Sequence, residues 1–189
     1  MIIQLRGTSG SGKSTAVRAI MDRYGPRSPV RKVGMKRRQP IGYLCAPQEP
    51  DGPSLFVAGH YETACGGCDT LPTYDFIIDL VREAATSGYD VLFEGLLISG
   101  EVTRCASLQD FLYLSIGLDV PVEVCLDSVN QRRRKKKPEA LDVNPKNTIA
   151  KATTVRGAMS RLAELGVRTE WQTRETVVDR VVGLLALGS

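Results

Sequence analysis

Residues 7 to 14 read Gly7-Thr8-Ser9-Gly10-Ser11-Gly12-Lys13-Ser14, and together with their flanks they limit the fold more than any other stretch of the chain. Ile2 to Leu5 is a short apolar run, and Ser14 to Tyr24 carries Ala16, Val17, Ile20 and Met21 at helical spacing. Strand, glycine-rich turn and helix in that order let backbone N–H groups converge on an anion at the positive end of the helix. The complete G-x-x-x-x-G-K-S pattern therefore predicts a phosphate-binding loop made of Gly7, Thr8, Ser9, Gly10, Ser11, Gly12, Lys13 and Ser14, with Thr15 beside it. Lys13 would neutralise charge on the β and γ phosphates and the Ser14 hydroxyl would ligate the metal, so ATP and Mg2+ are the expected cofactors.

The rest of the chain repeats the alternation. Pro72 to Ser87 has Phe76, Ile77, Leu80, Val81 and Ala84 at helical spacing, and Gly88 stops it before the apolar strand Asp90 to Glu94. Leu108 to Ser115 is expected to be a weak helix, Val122 to Leu126 a strand, and the following basic stretch through Lys137 a helix. Lys151 to Leu165 and Glu175 to Leu187 are further helices, with a short strand at Arg168 to Trp171 between them. Val30 to Val33, Ile41 to Cys45 and Leu55 to Ala58 are β-prone pieces of a small meander. The whole predicts an α/β chain of the P-loop NTPase fold, a mostly parallel sheet with helices on both faces. At 189 residues it is expected to be one kinase-sized domain, residues 1 to 189, with a basic lid-like segment around 128 to 147.

The metal-binding strand of GTPases and motor ATPases usually ends in Asp, whereas Val91-Leu92-Phe93-Glu94-Gly95 ends in Glu, as in small P-loop kinases. If this strand lies beside the first, Glu94 meets the same crevice as the loop and reaches a metal-bound water or an acceptor hydroxyl; a solvated strand end is the plainer alternative. Residues 132 to 137 are all Arg or Lys. An arginine closing over a transferring phosphoryl group stabilises the transition state more than the ground state, which makes Arg132 and Arg133 candidates beside the alternative of a solvated basic face.

The acceptor side is expected at Gly59-His60-Tyr61-Glu62-Thr63-Ala64-Cys65-Gly66-Gly67-Cys68-Asp69-Thr70, a polar and permissive loop between a β-like run and a helix. Asp69 is the preferred general base, with helix capping by Asp69 or Thr70 as the competing use. His60, Tyr61, Glu62 and Thr70 are candidate acceptor contacts, although a lone His such as His60 is more often a packed or hydrogen-bonded group and Tyr61 is equally at home buried. Cys65 and Cys68 have C-x-x-C spacing, but a zinc site needs two more ligands and the remaining cysteines are irregularly placed.

Net charge is only +4, yet the chain has a second basic cluster, Arg31, Lys32, Lys36, Arg37 and Arg38, with no acidic residue among them. No apolar run approaches the ~20 residues of a membrane helix, and the first strand begins so near Met1 that no signal peptide is expected. Five scattered cysteines fit a reducing compartment, so the cytoplasm is the expected location.

The phosphate loop with its preceding Arg6, the Gly59 to Thr70 segment, and Phe93-Glu94-Gly95-Leu96-Leu97 together resemble the tailed-phage 5-hydroxymethyluracil DNA kinases over most of the chain. The resemblance implies ATP-dependent phosphorylation of the hydroxymethyl group of hydroxymethyluracil already in phage DNA, a step in thymidine hypermodification, in the host cytoplasm. DNA would then be the partner, and Arg37 and Arg38 would lie along its path, since phosphate contacts come mainly from Lys and Arg. The competing expectations are a P-loop kinase of a free nucleoside, nucleotide or other small hydroxylated metabolite, and an NTP-switched binding protein without an acceptor.

Overall fold

Ile2–Arg6, buried at every position, forms β1, and the chain turns from it directly into α1, Lys13–Asp22. The computed structural model describes residues 1–36, 38–47, 52–63 and 66–186. Three short strands follow: β2 (Arg27–Val30), β3 (Gly42–Cys45) and β4 (Leu55–Ala58). They make an antiparallel meander, Val30 opposite Gly42 and Gly42 opposite Ala58. α2 (Tyr74–Thr86) begins where the Thr73 hydroxyl accepts from the Phe76 N–H, and β5 (Asp90–Glu94) follows it. Thr73 rather than Asp69 or Thr70 thus caps this helix, which leaves Asp69 for other work.

The one-turn α3 (Thr103–Ala106) leads to β6 (Tyr113–Leu118), then α4 (Val122–Lys136), α5 (Pro145–Glu164), β7 (Arg168–Gln172) and α6 (Val177–Ala186). Two expectations change here. The predicted weak helix at 108 to 115 gives way to β6, whose six residues are all buried. A strand covered on both faces shows a continuous apolar run instead of alternation, which hides it from a periodicity reading. The predicted strand at Val122 to Leu126 is instead the first part of α4, introduced by Pro121 at its N-cap, with Cys125 and Val129 buried one turn apart. The basic run 132 to 137 is therefore mostly the last turn of a 15-residue helix.

The strand order is β2-β3-β4-β5-β1-β6-β7, with β4, β5, β1, β6 and β7 mutually parallel. Alternating residues face opposite sides: Ile2, Val91 and Phe93 pack with Ile77, Val81 and Leu162, while Ile3, Leu5 and Leu92 pack with Val17, Ile20 and Val181. Helices α2 and α5 thus cover one face and α1 and α6 the other. All five parallel strands end on the same edge, where the segments after β1, β4, β5 and β7 meet. Among the described residues no helix is long and apolar enough to cross a membrane.

Candidate active site

The turn between β1 and α1 leaves anion-binding groups without partners. Gly12 caps α1 with no side-chain hydrogen bond, and no acidic residue sits in the first turn, so the first N–H groups of the helix have no intrahelical acceptor. The Thr8 and Ser11 hydroxyls are buried and unpartnered. Lys13 bends back over the loop, its Nζ donating to the Gly7 carbonyl at 2.7 Å and the Thr8 carbonyl at 3.1 Å. Gly10 adopts φ 79°, and a Cβ there would lie 2.2 Å from the Cys125 carbonyl oxygen, so only glycine lets α4 pack this close.

Glu94 ends β5 beside β1, paired in register with Leu5, and is almost wholly buried. The Ser14 hydroxyl donates to Glu94 Oε1 at 2.7 Å. Burial pushes the Glu94 carboxyl above its ordinary range, while Lys13 and the Ser14 hydrogen bond oppose this. Burial likewise pushes the Lys13 ammonium down, opposed by Glu94 and then Asp69. The three groups thus form one electrostatic cluster. Gly67, at φ 71°, brings the 59 to 71 segment against this cluster, since a Cβ there would lie 2.4 Å from Glu94 Oε1.

Asp69 is exposed and held from one side. Its Oδ2 accepts from the Leu96 N–H at 2.7 Å and its Oδ1 from the Leu97 N–H at 3.0 Å, which fixes the carboxylate against the segment that follows Glu94. A cleft of about 750 Å³ joins these parts, lined by Ser9, Gly10, Gly12, Lys13, Ser14 and Thr15 on one side and Gly66, Asp69, Thr70, Glu94 and Leu96 on the other. Its size is within the range of small-molecule sites. Uncapped helix N–H groups, orphan hydroxyls and a lysine bonded only to loop carbonyls fit a polyphosphate. The Ser14–Glu94 pair fits a hard cation that takes the rest of its oxygen ligands from phosphate and water. Among the described residues no group of three or more His, Cys, Asp or Glu could hold a metal unaided.

Of the other expected residues, Arg132 lines the cleft whereas Arg133 is an exposed residue outside its wall. His60 and Tyr61 are buried beneath the loop: His60 Nδ1 lies 3.3 Å from the Tyr43 hydroxyl, and the Tyr61 ring is 6.4 Å from that of Tyr43. Burial raises the Tyr61 phenol well above its ordinary range. Neither lines the cleft, nor does the exposed Glu62. Arg38 is exposed beyond β2, outside the cleft wall, and Arg37 and Cys65 lie outside the described residues. Cys68 is buried, with its thiol toward the Ala58 carbonyl at 3.6 Å.

Two arginines of the cleft wall were not anticipated. Arg18 donates to the Tyr61 carbonyl at 2.9 Å and the Thr63 carbonyl at 2.5 Å, tying the segment after β4 to α1. Its position four residues after Ser14 put it on the same helix face, a legible signal. Arg174, between β7 and α6, donates to the Ser11 carbonyl and the Ser128 hydroxyl, both at 3.1 Å, and to the Gly10 carbonyl. Only its place after a parallel strand could have marked it.

No family model matches the chain. Two curated relatives do. One, named "5-hmdU DNA kinase", from Pseudomonas phage PaMx11, is 46% identical over 187 residues, covering 97% of this chain and 96% of the relative. Another of the same name, from Delftia phage PhiW-14, is 28% identical over 204 aligned positions, covering 97% of this chain and 72% of the relative.

Proposed function

The chain belongs to the family of phage 5-hmdU DNA kinases, and from that premise we propose that it moves the γ-phosphoryl group of ATP onto the hydroxymethyl oxygen of 5-hydroxymethyluracil in DNA. The observation that carries the assignment of the site is the single cleft in which Lys13, Ser14, Glu94 and Asp69 meet, at the carboxyl edge of a parallel sheet. The chain acts as one P-loop kinase unit, with the C-terminal part of α4 and the start of α5 as its basic lid.

The loop from Gly7 to Ser14 and the neighbouring Thr15 would cradle the triphosphate with N–H groups and with the Thr8 and Ser11 hydroxyls, which lack partners now. Lys13 would leave the loop carbonyls for the β and γ phosphates, its ammonium charge maintained by Glu94 and Asp69 against the cost of burial. Ser14 and Glu94 would hold Mg2+, which neutralises phosphate charge as it shifts toward the leaving group. Asp69 would take the proton of the hydroxymethyl group as its oxygen bonds to the γ phosphorus; the bond from that phosphorus to the β–γ bridging oxygen breaks and ADP leaves. The Leu96 and Leu97 N–H groups hold the Asp69 carboxylate in one orientation for this step. Arg132 would face the phosphoryl group from α4, with Arg133 beside it once the helix end closes.

The test is transfer of labelled γ-phosphate from ATP with magnesium to hydroxymethyluracil DNA, ordinary DNA and free 5-hydroxymethyldeoxyuridine in parallel. Label confined to the modified DNA is expected. Label on the free nucleoside alone would replace DNA by a small acceptor. Asp69→Asn should lower kcat by about 10²-fold or more if the carboxylate is the base. A folded Asp69→Asn protein with full kcat would leave that residue only its hold on Leu96 and Leu97.

A further inference from the structure

A second hollow, of about 290 Å³, adjoins the cleft and shares Leu96 with it. Its wall carries Tyr74 at the start of α2, Leu97 and Glu101 after β5, and Lys151 and Thr154 on α5. Leu96 lies between the two spaces, and Asp69 holds it and Leu97 by their N–H groups. Whatever sits in the hollow is therefore one residue's width from the carboxylate placed at the acceptor.

The lining suits a nucleotide. Leu97 is 55% exposed, a large apolar side chain left uncovered at the rim, and Tyr74 beside it is half-buried. Base against aromatic or apolar surface is the usual sequence-tolerant contact to a single strand. Lys151 is exposed and forms no ion pair among the described residues, so its ammonium is available to a phosphate. The only carboxylate of the wall among the described residues, Glu101, is engaged by Arg104, through both the Arg104 N–H at 3.1 Å and its guanidinium at 3.3 Å. The hollow is at the small end of ligand sites, right for one nucleotide and too small for a duplex. Two neighbouring helices serve one space each, α4 presenting Arg132 to the cleft and α5 presenting Lys151 to the hollow.

We propose that this hollow is a DNA subsite that holds the nucleotide flanking the acceptor in the same strand, its base against Tyr74 and Leu97 and its phosphate on Lys151. The subsite rests on the assignment of DNA as acceptor. It makes the enzyme recognise a polymer by its neighbour as well as by its target base, and so adds to discrimination against free nucleotides.

The experiment compares kcat/KM on 5-hydroxymethyldeoxyuridine 5′-monophosphate with that on a trinucleotide centred on the same residue, for the wild type, Lys151→Glu and Leu97→Ala. Thr154→Ala stands in if either variant fails to unfold cooperatively near the wild-type midpoint. The wild type is expected to gain about tenfold or more from the flanking nucleotides, as one stacked base and one phosphate contact would give. The variants should lose most of that gain, and Lys151→Glu should also flatten the salt dependence of trinucleotide binding by about one ion. An undiminished gain in the variants, or no gain in the wild type, overturns the subsite while leaving the DNA kinase assignment standing. No transfer by the wild type to either acceptor or to longer modified DNA overturns both.

Discussion

The Ser14 hydroxyl donates to Glu94 Oε1 at 2.7 Å, closing a contact between residues 80 apart in sequence. One comes from the first turn of α1 and the other from the end of β5, and the parallel pairing of β1 with β5 brings them together. In the proposed role of paired cation ligands they would act as a unit, so Ser14→Ala and Glu94→Gln are each expected to lower kcat by about 10²- to 10³-fold. The double variant should be scarcely worse than either, because the second change removes a partner already idle. Single-turnover phosphate transfer at saturating ATP, repeated across magnesium concentrations, checks both; additive losses would separate the two residues.

How much of this was legible follows from what each signal depends on. β1, the loop and α1 are adjacent in sequence, and their identity needs only local spacing. Glu94 was legible because a charged residue ends an apolar strand, although its burial depends on Gly67 approaching from another loop. β6 was not legible, because Tyr113-Leu114-Ser115-Ile116-Gly117-Leu118 is covered on both faces and shows no period. His60 and Tyr61 looked like loop residues because the side chain that packs with them, Tyr43, belongs to a strand whose place in the sheet no local pattern gives.

Arg174 joins three parts of the site: the β1–α1 loop at Gly10 and Ser11, α4 at Ser128, and its own β7–α6 turn. It holds the Gly10 and Ser11 carbonyls, which fixes the conformation of the loop at the cleft wall. Arg174→Ala is expected to raise the KM for ATP about tenfold with a smaller fall in kcat, while Arg174→Lys should recover only part, since a single ammonium cannot reproduce the planar fork. Steady-state kinetics with ATP varied at saturating acceptor reads this. A pure kcat loss would instead put Arg174 on the transferring phosphoryl group.

Arg6 is fully buried with no carboxylate partner among the described residues. Its guanidinium is satisfied by Gln4 Oε1, Ser115 Oγ and the Ser99 carbonyl, each at 2.9 Å, and by the Glu101 carbonyl at 2.8 Å. It thereby fastens the turn after β5, which carries Leu96 and Leu97, to the strand that opens into the β1–α1 loop. Arg6→Met keeps the bulk but strands those acceptors, at a cost of about 3 kcal/mol or more. For a chain of this size that is a fall in midpoint of about 6–12 °C, measurable by thermal unfolding. A midpoint within two degrees or so of wild type would mean that water replaces the guanidinium.

The pairing of Arg180 with Glu170 ties α6 to the edge strand β7 through two bonds, Nε to Oε1 at 2.9 Å and the terminal nitrogen to Oε2 at 2.8 Å. The Arg180 hydrogen bond is the main cause that holds the Glu170 carboxyl below its ordinary 4.5, with partial burial opposing it. A carboxyl whose folded pKa is depressed binds fewer protons in the native state than in the unfolded one. Its contribution to stability is therefore complete above about pH 4.5 and disappears as pH falls through the lower folded value. Glu170→Gln is accordingly expected to lower the unfolding midpoint slightly at pH 7, in keeping with a solvent-screened pair, and to converge with the wild type as pH falls below the folded value. Raising salt at pH 7 should narrow the same gap. A difference that persisted unchanged into acid would assign the loss to packing between β7 and α6 instead of to charge.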